Sequence, residues 1–219
     1  MIRSIVKKEL LPSIKNNQKF ITAIQLSRIL SALRYNSIIS NKIIDENDFF
    51  SNIYLNLFYN RAALIYEGIK TFKKLKPKLE NLETYKKYAD KIEKILKDKN
   101  DRNSFFNDIL GRVRNKITFH FDEDVIKEIF GIYVDDFVKE HREIVFFEGK
   151  TRKIKDMNYV LAGDMNINYI LKFVKDKTLN ETDKLESIYK ELGELSDSFG
   201  KIIENMMLEL IKNICEVKK

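Results

Sequence analysis

The C-terminal part of the chain carries an uninterrupted helical repeat. Its apolar residues alternate at spacings of three and four positions, the pattern of a helix that buries one face. They are Leu185, Ile188, Leu192, Leu195, Phe199, Ile202 and Met206. The repeat predicts a long amphipathic helix over residues 181–217. The pattern allows this helix either to pack on the bundle of its own subunit or to pair with a second copy as a coiled coil.

The composition of the remaining chain also favours helices. Two prolines and seven glycines among 219 residues leave few obligatory breaks, and Lys, Glu, Leu and Ile dominate the periodic segments. We therefore predict an all-α helical bundle that forms a single domain over residues 1–219. Its core is expected at roughly 46–175, and the N-terminal helices (1–40) and the C-terminal helix are expected to pack on this core.

Breaker and polar residues predict the boundaries of the first helices. The first ten residues are expected to form a short helix or an arm. Pro12 suits the first turn of a helix that ends near Tyr35, and a polar connection is expected over residues 36–47. A central helix with a broad apolar face follows. We expect it to end near Leu75, because Pro77 interrupts its pattern.

Three further segments are predicted in the middle of the chain. A weakly apolar helix is expected over residues 78–97, and apolar residues from Phe106 to Ile117 recur at helical spacing. The acidic triplet at residues 122–124 favours the start of a new helix, because acidic groups stabilise a helix N-terminus. A small hairpin or ordered loop is expected near residues 144–155.

The charge and cysteine content limit the classes of partner and compartment. The chain has 40 Lys and Arg against 33 Asp and Glu, a net charge of +7, which is compatible with a nucleic-acid partner and equally with a thinly spread surface excess. The single cysteine, Cys215, rules out an intrachain disulfide and a Cys-rich zinc site. No apolar run approaches the length that crosses a bilayer. We expect a cytoplasmic protein with no membrane partner, no cofactor and no metal site.

The segment from Arg114 to His120 carries the strongest chemical signal. An arginine can bind a phosphate and a histidine can transfer protons near neutral pH. In a continuous α-helix the two side chains would diverge by about 120°. They can cooperate if the helix ends between Ile117 and Phe121, as the following acidic triplet suggests. If the helix continues instead, His120 is a core-facing histidine and the Arg-Asn pair is solvated.

These residues resemble the signature of the HEPN superfamily, the higher eukaryote and prokaryote nucleotide-binding domain. An arginine, a polar residue and a histidine after a few intervening positions lie on a later helix of an α-helical bundle, and Arg114, Asn115 and His120 fill these three places. Many members are metal-independent endoribonucleases of toxin–antitoxin, antiphage or CRISPR-linked defence. Their motif meets its symmetry mate across a dimer and forms one composite RNA-cleaving site.

The resemblance implies a role for each motif residue. Arg114 would stabilise the phosphate and the transition state, His120 would transfer protons, and Asn115 would orient the histidine. The resemblance also implies a homodimer at whose interface RNA is cleaved, and an antitoxin or regulatory protein as a further partner. It is carried by residues from about Phe49 to Phe137.

Several other charged residues are candidates for supporting roles. Arg61 lies on the apolar face of the central helix and Glu67 flanks that face, so both could support the active site or form structural ion pairs. Five cations are candidates for RNA binding, although a solvated helix face would carry the same pattern for the lysines near residue 70. The five are Lys70, Lys73, Lys74, Arg112 and Lys116.

Two functions of other classes compete with RNA cleavage. The chain could be a non-catalytic helical interaction protein that dimerises through the C-terminal repeat, with His120 in the core. It could also be a basic protein that binds nucleic acid without cutting it. RNA cleavage in the presence of EDTA would distinguish the endoribonuclease from both alternatives. A steep salt dependence of nucleic-acid affinity without strand scission would identify the protein that binds without cutting.

Overall fold

The chain folds into an all-α helical bundle. The computed structural model describes residues 3–5, 11–43, 52–101, 104–118, 123–136, 148–149, 157–158, 160–212 and 216–218. Its α-helices are α1 (Leu11–Ile14), α2 (Gln18–Ile43), α3 (Asn52–Leu79), α4 (Glu83–Lys87), α5 (Ala89–Asn100), α6 (Glu123–Asp136), α7 (Val160–Leu171) and α8 (Glu181–Ile211). Between α5 and α6 lie two π-helical runs, Phe106–Gly111 and Val113–Thr118, joined at Arg112; together they are called the motif helix.

Two short antiparallel strand pairs complete the described structure. Strand β1 (Arg3–Ile5) pairs with β4 (Glu216–Lys218), so the two ends of the chain lie side by side. Strand β2 (Glu148–Gly149) pairs with β3 (Met157–Asn158), in the region where a hairpin or loop is expected. The residues between β2 and β3 lie outside the described part of the chain. Within the segment expected as a short helix or an arm, residues 3–5 are a strand and not a helix, and the partner of this strand is more than two hundred positions away in the sequence.

The core is built around α3. Helix α2 packs along both α8 and α3, the motif helix packs on α3, and α6 packs on α7. Aromatic rings fill the contacts; the ring centroids of Phe72 on α3 and Phe199 on α8 lie 5.7 Å apart, edge to face. The side chains of Leu26, Ile65, Ile69 and Leu110 are fully buried in the same core. The helical class predicted from the sequence is therefore confirmed.

The C-terminal repeat packs inside its own subunit. Six of its seven apolar side chains are buried and the seventh, Leu195, is partly buried against the same core. Asn180 caps the helix, since its side-chain oxygen accepts a hydrogen bond from the Asp183 N–H. Of the two arrangements that the repeat allows, the structure has the intrachain one. Helix α8 ends at Ile211, so the predicted end at residue 217 is too late.

The ends predicted for α2 and α3 are both too early, because buried side chains lie beyond them. The polar connection over residues 36–47 is helical as far as Ile43, and the amide of Asn36 is buried and donates to the carbonyl of Leu57 on α3 at 3.3 Å. Helix α3 continues through Pro77 to Leu79, which is fully buried. A proline in the last turn forfeits one backbone hydrogen bond, and the burial of Leu79 outweighs that loss.

The helix predicted over residues 78–97 is split into α4 and α5. The carboxylate of Glu209 on α8 accepts hydrogen bonds from the backbone N–H groups of Glu83 and Thr84 at 2.9 and 2.8 Å. It thus satisfies donors that the first turn of a helix leaves without partners, and it lets a new helix begin at Glu83.

None of the described helices combines the length and the apolar character that a bilayer span requires.

Candidate nucleic-acid interface

The motif helix has π-helical winding. Its backbone hydrogen bonds run from residue i to i+5, so side chains are not spaced at the 100° of an α-helix. The run therefore departs, as far as Thr118, from the α-helical geometry assumed for it in the sequence analysis. The apolar positions are nevertheless buried as predicted, with Phe106, Leu110 and Val113 in the core. The helical run is described to Thr118, and α6 begins at Glu123, within the acidic triplet.

Close packing against α3 holds the motif helix in place. The ring of Tyr66 stacks on the ring of Phe106, with centroids 4.7 Å apart and planes at 19°. Gly111 is buried beneath the same ring: a Cβ atom there would lie 3.4 Å from Tyr66 Cε2. A Cβ atom at this distance would be in van der Waals contact with the ring, so the space holds little more than an alanine side chain. Tyr66 thus fixes the distance between the motif helix and the next residue of α3, Glu67.

Arg114 is held by a carboxylate of α3. Its Nε donates to Glu67 Oε1 at 2.7 Å, and its Nη1 donates to the side-chain oxygen of Asn115 at 2.9 Å. These bonds involve two of the five N–H groups of the guanidinium. The Arg114 side chain keeps 31% of its surface exposed, and Asn115 is exposed. A solvent-accessible guanidinium with a fixed orientation is suited to bind an oxyanion.

The two predicted supporting residues have different positions. Glu67 contacts Arg114 directly and also lies 3.9 Å from the Lys70 ammonium. Arg61 points toward α8, where its Nη2 lies 3.9 Å from Asp197 Oδ1. Its buried Nε has no hydrogen-bond partner among the described residues. The structure therefore brings Glu67, and not Arg61, to the motif arginine.

A cluster of lysines continues from Glu67 along α3 and across to α5. The predicted Lys70, Lys73 and Lys74 are joined by Lys99; these four residues are called the basic cluster. Lys73 Nζ donates to the Asn100 side chain at 2.8 Å, next to Lys99. Burial first, and then repulsion from the other three lysines, lower the pKa of Lys99, while Glu67 opposes this shift. The four lysines and Glu67 therefore form one group of interacting charges, and Glu67 joins this group to Arg114.

Lys99 could not be identified from the sequence. It lies in a helix with many charges, twenty-five positions after Lys74, and no local pattern distinguishes it from Lys94 or Lys97. Only the packing of α5 beside α3 brings it to the cluster.

The other two predicted RNA-binding cations face α6 and α7. The guanidinium carbon of Arg112 lies 3.6 Å from the ring centroid of Phe173, and its buried Nε has no hydrogen-bond partner within the described part of the chain. Lys116 Nζ lies 2.9 Å from Glu128 Oε2 on α6. Tyr169 donates its hydroxyl to the other oxygen of Glu128 at 3.3 Å. The pKa of Glu128 is lowered, mainly by the hydrogen bond from Lys116.

The site that the structure describes thus consists of Arg114, Asn115, Glu67 and the basic cluster. The predicted proton-transfer residue, His120, lies outside the described residues. Within the described part of the chain, no three His, Cys, Asp or Glu side chains are grouped in a way that could hold a metal ion. What is described can bind and orient a phosphate.

Comparisons with known proteins returned no match to a family model, to a characterised protein or to a solved structure.

Proposed function

We propose that this protein is a metal-independent endoribonuclease of the HEPN type, in which Arg114 binds the scissile phosphate. The observation that carries the proposal is the Glu67–Arg114 pair beside the basic cluster. Glu67 orients the guanidinium before RNA arrives, and the lysines supply the attraction for the flanking phosphates. Such preorganised donors lower the barrier where negative charge develops in the transition state.

The reaction assigned to the site is transesterification within RNA. A base removes the proton of the 2′-hydroxyl, whose oxygen attacks phosphorus, and the bond to the 5′-oxygen breaks as that oxygen receives a proton. The products are a 2′,3′-cyclic phosphate and a 5′-hydroxyl. Arg114 stabilises the charge on the non-bridging oxygens, His120 transfers the protons, and Asn115 orients the histidine.

The biological setting belongs to the same proposal. The resemblance to HEPN nucleases supports a role as a toxin or an antiphage effector in the cytoplasm, with a homodimer as the active form. An antitoxin or another regulatory protein would restrain the activity. The net charge of +7 is compatible with an RNA partner.

RNA binding without cleavage is the second candidate. The basic cluster favours it by itself, because lysines that bind phosphates need no catalytic group. The interaction-protein alternative required the C-terminal repeat as its dimer surface. That repeat is buried within the subunit.

A cleavage assay with purified protein and RNA in EDTA tests the proposal. We expect cutting by the wild type and a loss of at least about 100-fold in Arg114→Ala and in His120→Ala, the size seen when an oxyanion-stabilising group is removed. RNA binding by His120→Ala should remain. End analysis should find the cyclic phosphate on one product.

Arg34→Ala is the matched control. Arg34 is also an arginine held by a carboxylate on another helix, Glu204 of α8. The Arg34→Ala protein should cut RNA at the wild-type rate. Wild-type protein that binds RNA and never cuts it would favour the second candidate. Unchanged cutting in both the Arg114 and the His120 variants would refute the assignment of the site.

A further inference from the structure

Helix α6 carries apolar side chains on two faces. Ile129 and Tyr133 are buried, on the face that packs on α7. A second set, Ile126, Phe130 and Val134, is exposed by 48%, 42% and 38%. These three residues are spaced four apart and form one stripe along the helix, called here the α6 stripe. A surface helix normally buries its apolar face and presents polar groups to solvent, so the α6 stripe indicates a contact with another molecule.

The residues along one side of the stripe have a characteristic order. Lys127, Gly131 and Asp135 each follow a stripe residue by one position, so they run beside it. All three are exposed, and Lys127 also pairs with Glu123 one turn earlier at 2.6 Å. A Cβ atom at Gly131 would meet nothing within 4 Å. The flank therefore has a cation at one end, an anion at the other and open space in the middle.

The order of these three residues is complementary to itself when a second copy of the helix runs in the opposite direction. In an antiparallel pair about a two-fold axis near Phe130, each side of one helix faces the same side of the other in the opposite direction. Ile126 then lies opposite Val134 of the second copy, and Phe130 lies opposite Phe130. On the flank, Lys127 lies opposite Asp135, and the two glycines face each other where the backbones approach.

We propose that the α6 stripe is the surface on which a second copy of this chain docks, with the two α6 helices antiparallel. The occupant is identified by the charge order, which makes this helix complementary to its own reverse. A parallel pair would instead place the Lys127 flank against the side that carries the buried Ile129 and Tyr133. Because a helix of 14 residues spans only about 21 Å, the contact is small and the dimer forms in a concentration-dependent way.

This interface does not depend on RNA cleavage. It uses side chains of α6 alone, and none of the residues assigned to the RNA site contributes to it. A nuclease without this dimer, or this dimer without nuclease activity, is a distinguishable result.

Cysteine cross-linking of the full chain in a Cys215→Ser background tests the direction of the pair. A mixture of Ile126→Cys protein and Val134→Cys protein should form a covalent heterodimer on mild oxidation, at least about ten times faster than either protein alone. Gly131→Cys should form a homodimer by itself. Faster cross-linking of Ile126→Cys alone than of the mixture would indicate a parallel pair and overturn the proposal.

Sedimentation over a range of concentrations tests the surface and its charge pairing. Phe130→Glu should weaken the dimer by at least about 10-fold, as for a central apolar contact, whereas Ile24→Glu, an exposed isoleucine of α2, should not. Lys127→Asp and Asp135→Lys should each weaken the dimer, and the double variant should restore it. A monomer at all concentrations would overturn the proposal. A lower free energy of unfolding for the Phe130→Glu monomer than for the wild-type monomer would mean that the α6 stripe packs within its own chain. That result would also overturn the proposal.

Discussion

Arg112 and Arg114 are separated by a single residue and occupy opposite environments. Arg112 stacks on the ring of Phe173 at 3.6 Å, in the part of the molecule that contains Glu128 and Lys116. Arg114 is held from α3 by Glu67 and remains about one third exposed. A planar cation on an aromatic ring stabilises the fold, whereas an oriented cation at the surface is available for a ligand. We therefore assign Arg112 and Lys116 to the framework and Arg114 with the basic cluster to the site.

The role of each cation is set by the group that it contacts and not by its position in the motif. Both arginines lie on the same helix; the sequence predicted Arg112 as an RNA-binding cation and Arg114 as the residue that stabilises the phosphate. Arg112 contacts an aromatic ring, whereas Arg114 contacts a carboxylate. Four experiments test the difference between the two arginines and their surroundings.

The largest effect is expected from the basic cluster. Replacing Lys70, Lys74 and Lys99 together by Gln should weaken RNA binding about 100-fold at low salt and reduce the slope of log affinity against log salt by roughly 2 to 3. Fluorescence anisotropy at several salt concentrations measures both. The same change at Lys15, Lys19 and Lys201, three exposed lysines, removes equal charge and should have a much smaller effect. Equal effects in the two triple variants would show that only net charge matters.

Arg112→Ala should act on stability. The loss of the ring contact and of the packed side chain should lower the free energy of unfolding by about 2 kcal/mol, measured in urea. Cleavage and RNA affinity per folded molecule should stay at the wild-type level. Arg114→Ala should show the reverse pattern, with a change in unfolding free energy below about 1 kcal/mol. A stable Arg112→Ala protein that has lost RNA binding would place Arg112 in the site.

Glu67→Gln tests whether Glu67 positions Arg114. Removing its charge should slow cleavage about 10-fold because the guanidinium is no longer held in one orientation. RNA affinity should be unchanged or higher, since a negative charge next to Arg114 and Lys70 is gone. Single-turnover rates over a range of protein concentrations separate the two quantities, and Glu67→Asp should recover part of the rate. A fall in affinity at an unchanged maximal rate would contradict a positioning role.

The smallest effect concerns the Lys116–Glu128 pair. The hydrogen bond from Lys116 lowers the pKa of Glu128, so the pair stabilises the fold above the ordinary glutamate pKa, and this contribution is lost as pH falls through the lowered value. Both side chains are exposed by more than one third, so we expect the pair to contribute only a few tenths of a kcal/mol to the free energy of unfolding. Glu128→Gln should reduce the loss of stability between neutral and acidic pH by that amount, and RNA binding should not change. An identical pH dependence in the variant would contradict a stabilising pair.

Much of the fold followed from local pattern. The repeat from Leu185 to Met206 predicted a helix that buries one face, and the acidic triplet predicted where α6 begins. Errors arose where a distant residue supplied the missing interaction. Leu57 extends α2 through Asn36, and Glu209 starts α4 by accepting from its first N–H groups. Such partners cannot be read from a window of neighbouring residues.

The helical class, the core positions and the residue types suited to phosphate chemistry follow from local sequence, because the spacing of apolar side chains and the charge of each group are local properties. The partner of each cation depends on the tertiary structure. The π-helical winding sets the directions of Arg112 and Arg114, α3 brings Glu67 to Arg114, and α5 adds Lys99 to the basic cluster. Contacts of this kind depend on how helices pack, and packing reflects the shape of every side chain at the contact.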